Sequence, residues 1–205
     1  MVLKSSGSRI VTRLTGRIGQ LFAPVPISPD TWTVLSLLPA LGGFYVLVQG
    51  SILAGLGLFA VAGFVDVIDG AVARERGETT AFGAYLDGMV DRFVEATLLF
   101  GLMLFGYPDW LLPGWLWLVL LLFFGTTMTS FARAYADHRG VVTDPDRLAA
   151  MGGLLERAER ILLVFASMVA WLVEPRLATY VVALATVLAA VTVFQRMTHA
   201  RAAIT

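Results

Sequence analysis

The chain has 205 residues, 58% of them hydrophobic, and its 15 basic and 15 acidic side chains cancel to a net charge of zero. That length suits one domain, and a mean hydropathy of +0.78 exceeds what a soluble core needs, which points to a membrane protein. Zero net charge gives a nucleic-acid partner no electrostatic support, and the lack of cysteine excludes disulfides, thiol nucleophiles and thiolate metal sites.

In chain order, residues 1–27 set Lys4, Arg9, Arg13 and Arg17 among Ile10, Val11, Leu14, Ile18, Leu21 and Phe22. Apolar positions recur at three- and four-residue spacing, which predicts a short basic amphipathic helix on the anionic face of a membrane. No continuous apolar stretch with a small-residue cleavage site occurs there, so no signal peptide is expected. Pro24, Pro26 and Pro29 end that helix, and the apolar run to Val48 is long enough for a first spanning helix. Gly50-Ser51 is a minimal turn before a second span, about Ile52 to Val72. A third is expected from about Gly83 to Phe105, after a polar linker of roughly Arg74 to Phe82. Tyr107-Pro108-Asp109 and Pro113-Gly114 break the chain, and Trp110, Trp115 and Trp117 mark a membrane–water interface. A fourth span covers roughly Leu111 to Tyr135, and Asp137 to Arg147 is a charged loop. The fifth helix is expected to open at Met151, and Glu174-Pro175-Arg176 separates it from a sixth, about Leu177 to His199.

The expected fold is therefore an all-α integral membrane protein. A juxtamembrane amphipathic helix over 1–27 precedes a membrane domain of six transmembrane helices over 28–205. With six spans, both termini, the second-to-third loop and the fourth-to-fifth loop share one side, which holds nearly all the Arg and Lys. The other three loops hold only Arg176. The preference of basic residues for the inner face puts that side in the cytoplasm, and the expected location is the plasma membrane of a prokaryote.

Asp66, Asp69, Asp87 and Asp91 lie in or beside segments apolar enough to cross a bilayer. An ionisable group at membrane depth costs at least a few kcal/mol and marks a functional site by default. Asp66 and Asp69 are three apart and Asp87 and Asp91 four apart, so each pair shares a helix face. A single aspartate would read as a helix cap or a solvated loop residue. Four converging from two arms of a hairpin require a compensating cation, and a hard divalent ion with oxygen ligands, Mg²⁺ or Mn²⁺, is the economical answer. Gly70, Ala73, Gly83 and Gly88 lie on or near the same faces, where small side chains admit a flat ligand. Arg74, five after Asp69, is placed to meet an anionic group.

The pattern Asp66-x-x-Asp69-Gly70-x-x-Ala73-Arg74, eight residues, Gly83-x-x-x-Asp87-x-x-x-Asp91 resembles the complete signature of the CDP-alcohol phosphotransferases, with every fixed position matched. The resemblance implies a membrane enzyme that transfers a lipid phosphate from a CDP-linked donor to an alcohol and releases CMP. It implies metal ligation by Asp66, Asp69 and Asp87, a second ion shared by Asp66, Asp87 and Asp91, and a base role for Asp91, which ligation would temper. The donor would meet Asp69, Gly70, Ala73, Arg74 and Gly83. Pro29, Asp30 and Thr33 resemble the family's Pro-Asn-x-x-Thr start of the first span, part of the nucleotide pocket. Asp30 replaces the usual Asn there, which keeps an acceptor and loses the amide donor. A homodimer embedded among membrane lipids is also implied.

Arg133, Arg157, Arg160 and Arg196 come from three predicted helices, all at their cytoplasmic ends. Any one could be a topology residue snorkelling to lipid headgroups. A cluster argues for a phosphorylated acceptor, since Arg recognises phosphate bidentately. The segments around them resemble those of phosphatidylinositol-phosphate synthases and their archaeal relatives, which implies inositol 1-phosphate, with glycerol 3-phosphate as the rival. Arg133 stands where some members carry Lys. A transporter would spread its acidic residues along a route, and a membrane prenyltransferase would place its two aspartate motifs on well-separated helices. Here one hairpin carries both.

Overall fold

The computed structural model describes residues 13–203 and is helical, with no strand among the described residues. Residues 13–22 form α1; Lys4, Arg9, Ile10 and Val11, assigned above to the amphipathic helix, lie outside the described residues. Among the described residues four stretches are long and apolar enough to cross a bilayer: Pro29–Val48, Ile52–Arg76, Gly114–His138 and Pro175–Ala202. The two other expected spans differ for physical reasons. Ala81–Phe105 is 25 residues long but carries Asp87, Asp91, Arg92 and Glu95, whereas Arg157–Val173 has 17 residues. At 1.5 Å per residue that is about 26 Å, short of a hydrocarbon core of roughly 30 Å. Large apolar side chains stay exposed along the helices, among them Leu38, Leu53, Leu104, Leu162 and Phe194, a surface suited to lipid contact.

The chain forms two compact units, one of residues up to Tyr45 with Ala54–Leu98, the other of Val46–Leu53 with the chain from Leu99. In the first, α1 lies against α4 (Ile52–Arg76). Gly19 makes that contact possible, because a Cβ there would stand 2.7 Å from the Ala71 carbonyl oxygen. Phe22 meets Trp32 and Phe64 edge-on at 5.7 and 6.5 Å between centroids. Leu14 and Leu21 point outward on the same helix.

The first apolar run is two helices, α2 (Pro29–Leu35) and α3 (Leu37–Val48), where sequence reasoning expects one. The break at Ser36 follows from Pro39, whose ring crowds the carbonyl four residues back and which offers no N–H. The Ser36 hydroxyl donates to the Thr33 carbonyl at 2.7 Å. Ser28 caps α2, its Oγ accepting from the Thr31 N–H at 3.2 Å, with Pro29 at the first helical position.

The turn between α4 and α5 (Ala81–Phe105) is tighter than the expected linker. α4 ends with Gly77 at φ 66°, and the Glu78 N–H reaches the Ala73 carbonyl at 2.9 Å, a Schellman closure in which glycine carries no Cβ penalty. Thr80 then caps α5 by accepting from the Gly83 N–H at 2.9 Å. Only residues 77–80 separate the two helices, so both arms of the aspartate hairpin are held from the turn.

In the second unit α6 (Gly114–Leu121), a π-helical segment (Leu122–Met128) and α7 (Thr129–His138) form one continuous rod. α8 (Pro145–Ala150) is a short helix inside the charged loop, and α9 (Arg157–Val173) and α10 (Pro175–Ala202) follow. Ala178, Ala183, Ala185 and Ala189 are buried along α10, small side chains that allow close helix approach. Leu118, Leu121, Val164 and Met168 complete the core. Tyr107 and Ser167 share a buried hydrogen bond at 2.9 Å, and burial pushes the Tyr107 phenol up from its usual range despite that bond. The fifth helix starts at Arg157, whereas the expectation was Met151. Residues 151–156 form an irregular strap, with Gly153 pressed on the Thr192 side chain. The Leu155 N–H donates to Thr192 Oγ1 and the Leu154 N–H to Gln195 Oε1, both at 2.9 Å.

Candidate active site

The first unit brings three of the four predicted aspartates together. Asp66 and Asp69 stand one turn apart on α4, Asp87 lies in the second turn of α5, and one oxygen from each falls within 4.8 Å of the other two. Three carboxylates that close in a poorly solvated site repel unless a cation neutralises them. All the donors are hard oxygens, so the set fits a divalent ion such as Mg²⁺ or Mn²⁺.

Asp69 is the most enclosed of the three, 5% exposed. Thr33 of α2 donates to its Oδ2 at 2.5 Å, and the Gly70 N–H donates to its Oδ1. These bonds aim the carboxylate, as partners of metal-ligating groups do. Asp91, one turn beyond Asp87, is not one of the close three. It is buried, with Oδ2 3.3 Å from Arg92 Nη1.

A cleft of about 180 Å³ opens beside Asp69 and Asp87. Pro29, Asp30, Thr33, Asp69, Gly70, Ala73, Arg74 and Gly83 all line it, together with Glu78, Thr79, Thr80 and Ala84. Two glycines hold its floor open. A Cβ on Gly83 would come within 3.1 Å of Asp30 Oδ1 and of Thr80 Oγ1, and one on Gly70 within 3.2 Å of Arg74 Nη1. A Cβ on Gly88 would meet nothing within 4 Å, so protein packing does not demand smallness there. Sequence reasoning passes over Glu78, Thr79 and Thr80, which read as an ordinary solvated turn. It also passes over Glu95, 1% exposed and one turn beyond Asp91; its signal was available, since a carboxylate at that depth is costly.

The four arginines belong to the second unit. Arg133 is exposed on α7, Arg157 opens α9 half-buried, and Arg160 and Arg196 are buried at 3% and 6% exposure. Arg160 lies over Gly125 of the π-helical segment, where a Cβ would stand 2.6 Å from its Cδ. Arg196 ties three segments together. Its Nη1 donates to the Thr129 carbonyl at 2.5 Å and its Nη2 to Glu156 Oε2 at 2.7 Å. Its buried Nε has no hydrogen-bond partner among the described residues.

A family model described as CDP-alcohol phosphatidyltransferase matches residues 27–194. The chain is 34% identical over 150 residues to an archaetidylinositol phosphate synthase of Pyrococcus horikoshii, covering 73% of each chain. Among solved structures it resembles the phosphatidylinositol phosphate synthase of Mycobacterium tuberculosis with CDP-DAG bound, at a TM-score of 0.76 and 26% identity over 92% of this chain and 94% of that one. The same synthase in complex with manganese and citrate gives 0.77 and 25% identity, over 91% and 88% of the two chains. With the family model spanning most of the chain and the aspartate hairpin in place, this protein is a membrane transferase of phospholipid synthesis and belongs to the CDP-alcohol phosphatidyltransferase family.

Proposed function

We propose that this enzyme transfers a phosphatidyl or archaetidyl group from a CDP-linked lipid to inositol 1-phosphate and releases CMP. The observation that carries the reading is the cleft that joins Asp30, Thr33, Arg74 and Gly83 to the three-carboxylate cluster. The names of the similar synthases favour an inositol phosphate as acceptor, and Arg133, Arg157, Arg160 and Arg196 are its proposed phosphate ligands.

In this reading Asp66, Asp69 and Asp87 hold one divalent ion, and Asp66, Asp87 and Asp91 a second. Mg²⁺ or Mn²⁺, when bound, would neutralise the diphosphate and the charge on departing CMP. Thr33 and the Gly70 N–H keep Asp69 aimed. Arg74, folded across Gly70, meets the donor phosphates, and Asp30 with Gly83 receives the nucleotide. Asp91 takes the proton from the acceptor hydroxyl, whose oxygen bonds to the lipid-bearing phosphorus as the bond to CMP breaks.

We read residues 28–205 as a six-span catalytic domain, α5 and α9 being the two spans shortened or charged by the site, and residues 1–27 as juxtamembrane. The cluster then faces the cytoplasm, across the plasma membrane of a prokaryote, in a homodimer. A cysteine at Gly77 should react with an impermeant reagent only from the cytoplasmic side and one at Asp109 only from the other; the reverse labelling defeats the topology. Mass in detergent decides the dimer.

CMP release by the purified chain with CDP-linked lipid tests the chemistry. It should require Mg²⁺ or Mn²⁺ and a phosphorylated alcohol, and stop in EDTA. Full activity in EDTA contradicts the metal site. Activity with glycerol 3-phosphate and none with inositol 1-phosphate renames the acceptor and leaves the chemistry intact.

A further inference from the structure

The segment 23–27 reads Ala-Pro-Val-Pro-Ile and joins α1 to α2. Pro24 and Pro26 have no N–H and push their neighbours to extended backbone, so helix formation cannot satisfy the carbonyls there. The Ile27 N–H reaches the Val25 carbonyl at 2.7 Å, and one side chain serves the Ala23, Val25 and Ile27 carbonyls together. Arg76, in the last turn of α4, donates from Nε and Nη2 to the Ala23 carbonyl at 3.0 and 2.7 Å. Its Nη1 donates to the Ile27 carbonyl at 2.9 Å, and its Nη2 also to the Val25 carbonyl. A planar five-donor fork can serve three carbonyls at once, which an ammonium on a flexible stem cannot. The Ala23 carbonyl also belongs to the C-terminal end of α1, where a cation is favoured.

The clamped segment leads directly into the cleft. Ile27 is followed by the α2 cap Ser28 and then by Pro29, Asp30 and Thr33, all lining residues. The same Nη1 stands 3.7 Å from Glu78 Oε2, and Glu78 lines the cleft from the turn. Arg76 therefore clamps the chain that enters one wall of the cleft and pairs with Glu78 on the other, without lining the cleft itself.

We infer that Arg76 is a positioning residue for the donor nucleotide, holding the start of α2 and the α4–α5 turn at the spacing a CDP group needs. The inference rests on the reading of this cleft as the donor site.

The test uses the full chain in detergent with Mg²⁺, measuring KM for CDP-linked lipid, KM for acceptor and kcat separately. Arg76→Ala should raise the donor KM about tenfold, which corresponds to about 1.4 kcal/mol of lost binding. Acceptor KM and kcat should stay within about twofold of the parent, because what is lost is binding common to ground state and transition state. Arg76→Lys keeps the charge and loses the fork, so it should resemble Arg76→Ala; it also decides the matter alone if Arg76→Ala does not fold. Equal rises in both KM values, a fall in kcat at unchanged donor KM, or a parental Arg76→Lys would overturn the assignment. Gly83→Ala, which fills the cleft itself, separates the two claims. If Gly83→Ala raises donor KM and the Arg76 variants do not, the Arg76 role fails alone. If Gly83→Ala leaves donor KM unchanged, the cleft is not the donor site and the inference falls with it.

Discussion

Asp87→Asn should lower the rate of CMP release by at least about a hundredfold, the scale on which loss of one charge-stabilising group acts in a catalytic site, while the protein still inserts and folds. The expectation rests on the shared position of this carboxylate. Its oxygen lies within 4.8 Å of oxygens from both Asp66 and Asp69, so removing one charge should weaken the hold on the divalent ion that all three are proposed to share. Asp66→Asn and Asp69→Asn should match it. Thr33→Val is the graded companion, because it leaves the carboxylates in place and removes the hydroxyl that donates to Asp69 Oδ2. Loss of such an orienting partner costs about 10- to 100-fold in metal affinity, and excess Mn²⁺ should restore Thr33→Val but not Asp69→Asn. Metal titration of CMP release separates the two; parental activity in Asp66→Asn or Asp87→Asn contradicts the shared site.

Arg196→Ala should weaken binding of the phosphorylated acceptor by about tenfold to a hundredfold, as expected for a lost charge-assisted hydrogen bond of roughly 1.5–3 kcal/mol. The buried guanidinium already donates to Thr129 and Glu156, and its Nε has no protein acceptor among the described residues. The substitution therefore also strands Glu156, and part of its effect will be structural. Glu156→Gln isolates that part, since it breaks the ion pair and keeps the arginine. Arg176→Ala, exposed at the other end of α10, should be silent. An acceptor KM unchanged in Arg196→Ala, or raised equally in Glu156→Gln, would make Arg196 a strut of the second unit.

The aspartates are legible because two cheap signals coincide: carboxylates at membrane depth and helical spacing within each pair. Their meeting across α4 and α5 also depends on the Gly77 and Thr80 closures, which a Gly- and Thr-containing linker announces. The α2 side of the cleft is legible only through resemblance. Nothing local in Pro29–Thr33 says that the Thr33 hydroxyl will reach a carboxylate 36 residues away. Arg76 is less legible still, because it reads as the basic end of a helix and its partners are backbone carbonyls, which no side-chain pattern encodes. The π-helical segment is silent for another reason. Leu122–Met128 mixes apolar residues with Gly125, Thr126 and Thr127 and has no proline, so its register change emerges only where Arg160 lies across Gly125 and the Thr129 hydroxyl donates to the Gly125 carbonyl. The strap at 151–156 shows the reverse case. The expected start at Met151 overlooks Gly152-Gly153, poor helix formers, and the contact of Gly153 on Thr192 accounts for the later start.

The most direct measurement follows the acceptor's phosphorus. Inositol 1-phosphate labelled on its phosphate is incubated with unlabelled CDP-linked lipid, Mg²⁺ and the purified chain, and label in the extracted lipid is compared with CMP formed. Label should enter the lipid in equal amount to CMP, giving a product that carries both the donor's phosphate and the acceptor's. CMP released without label in the lipid, or label recovered as free phosphate, would contradict transfer to a phosphorylated alcohol.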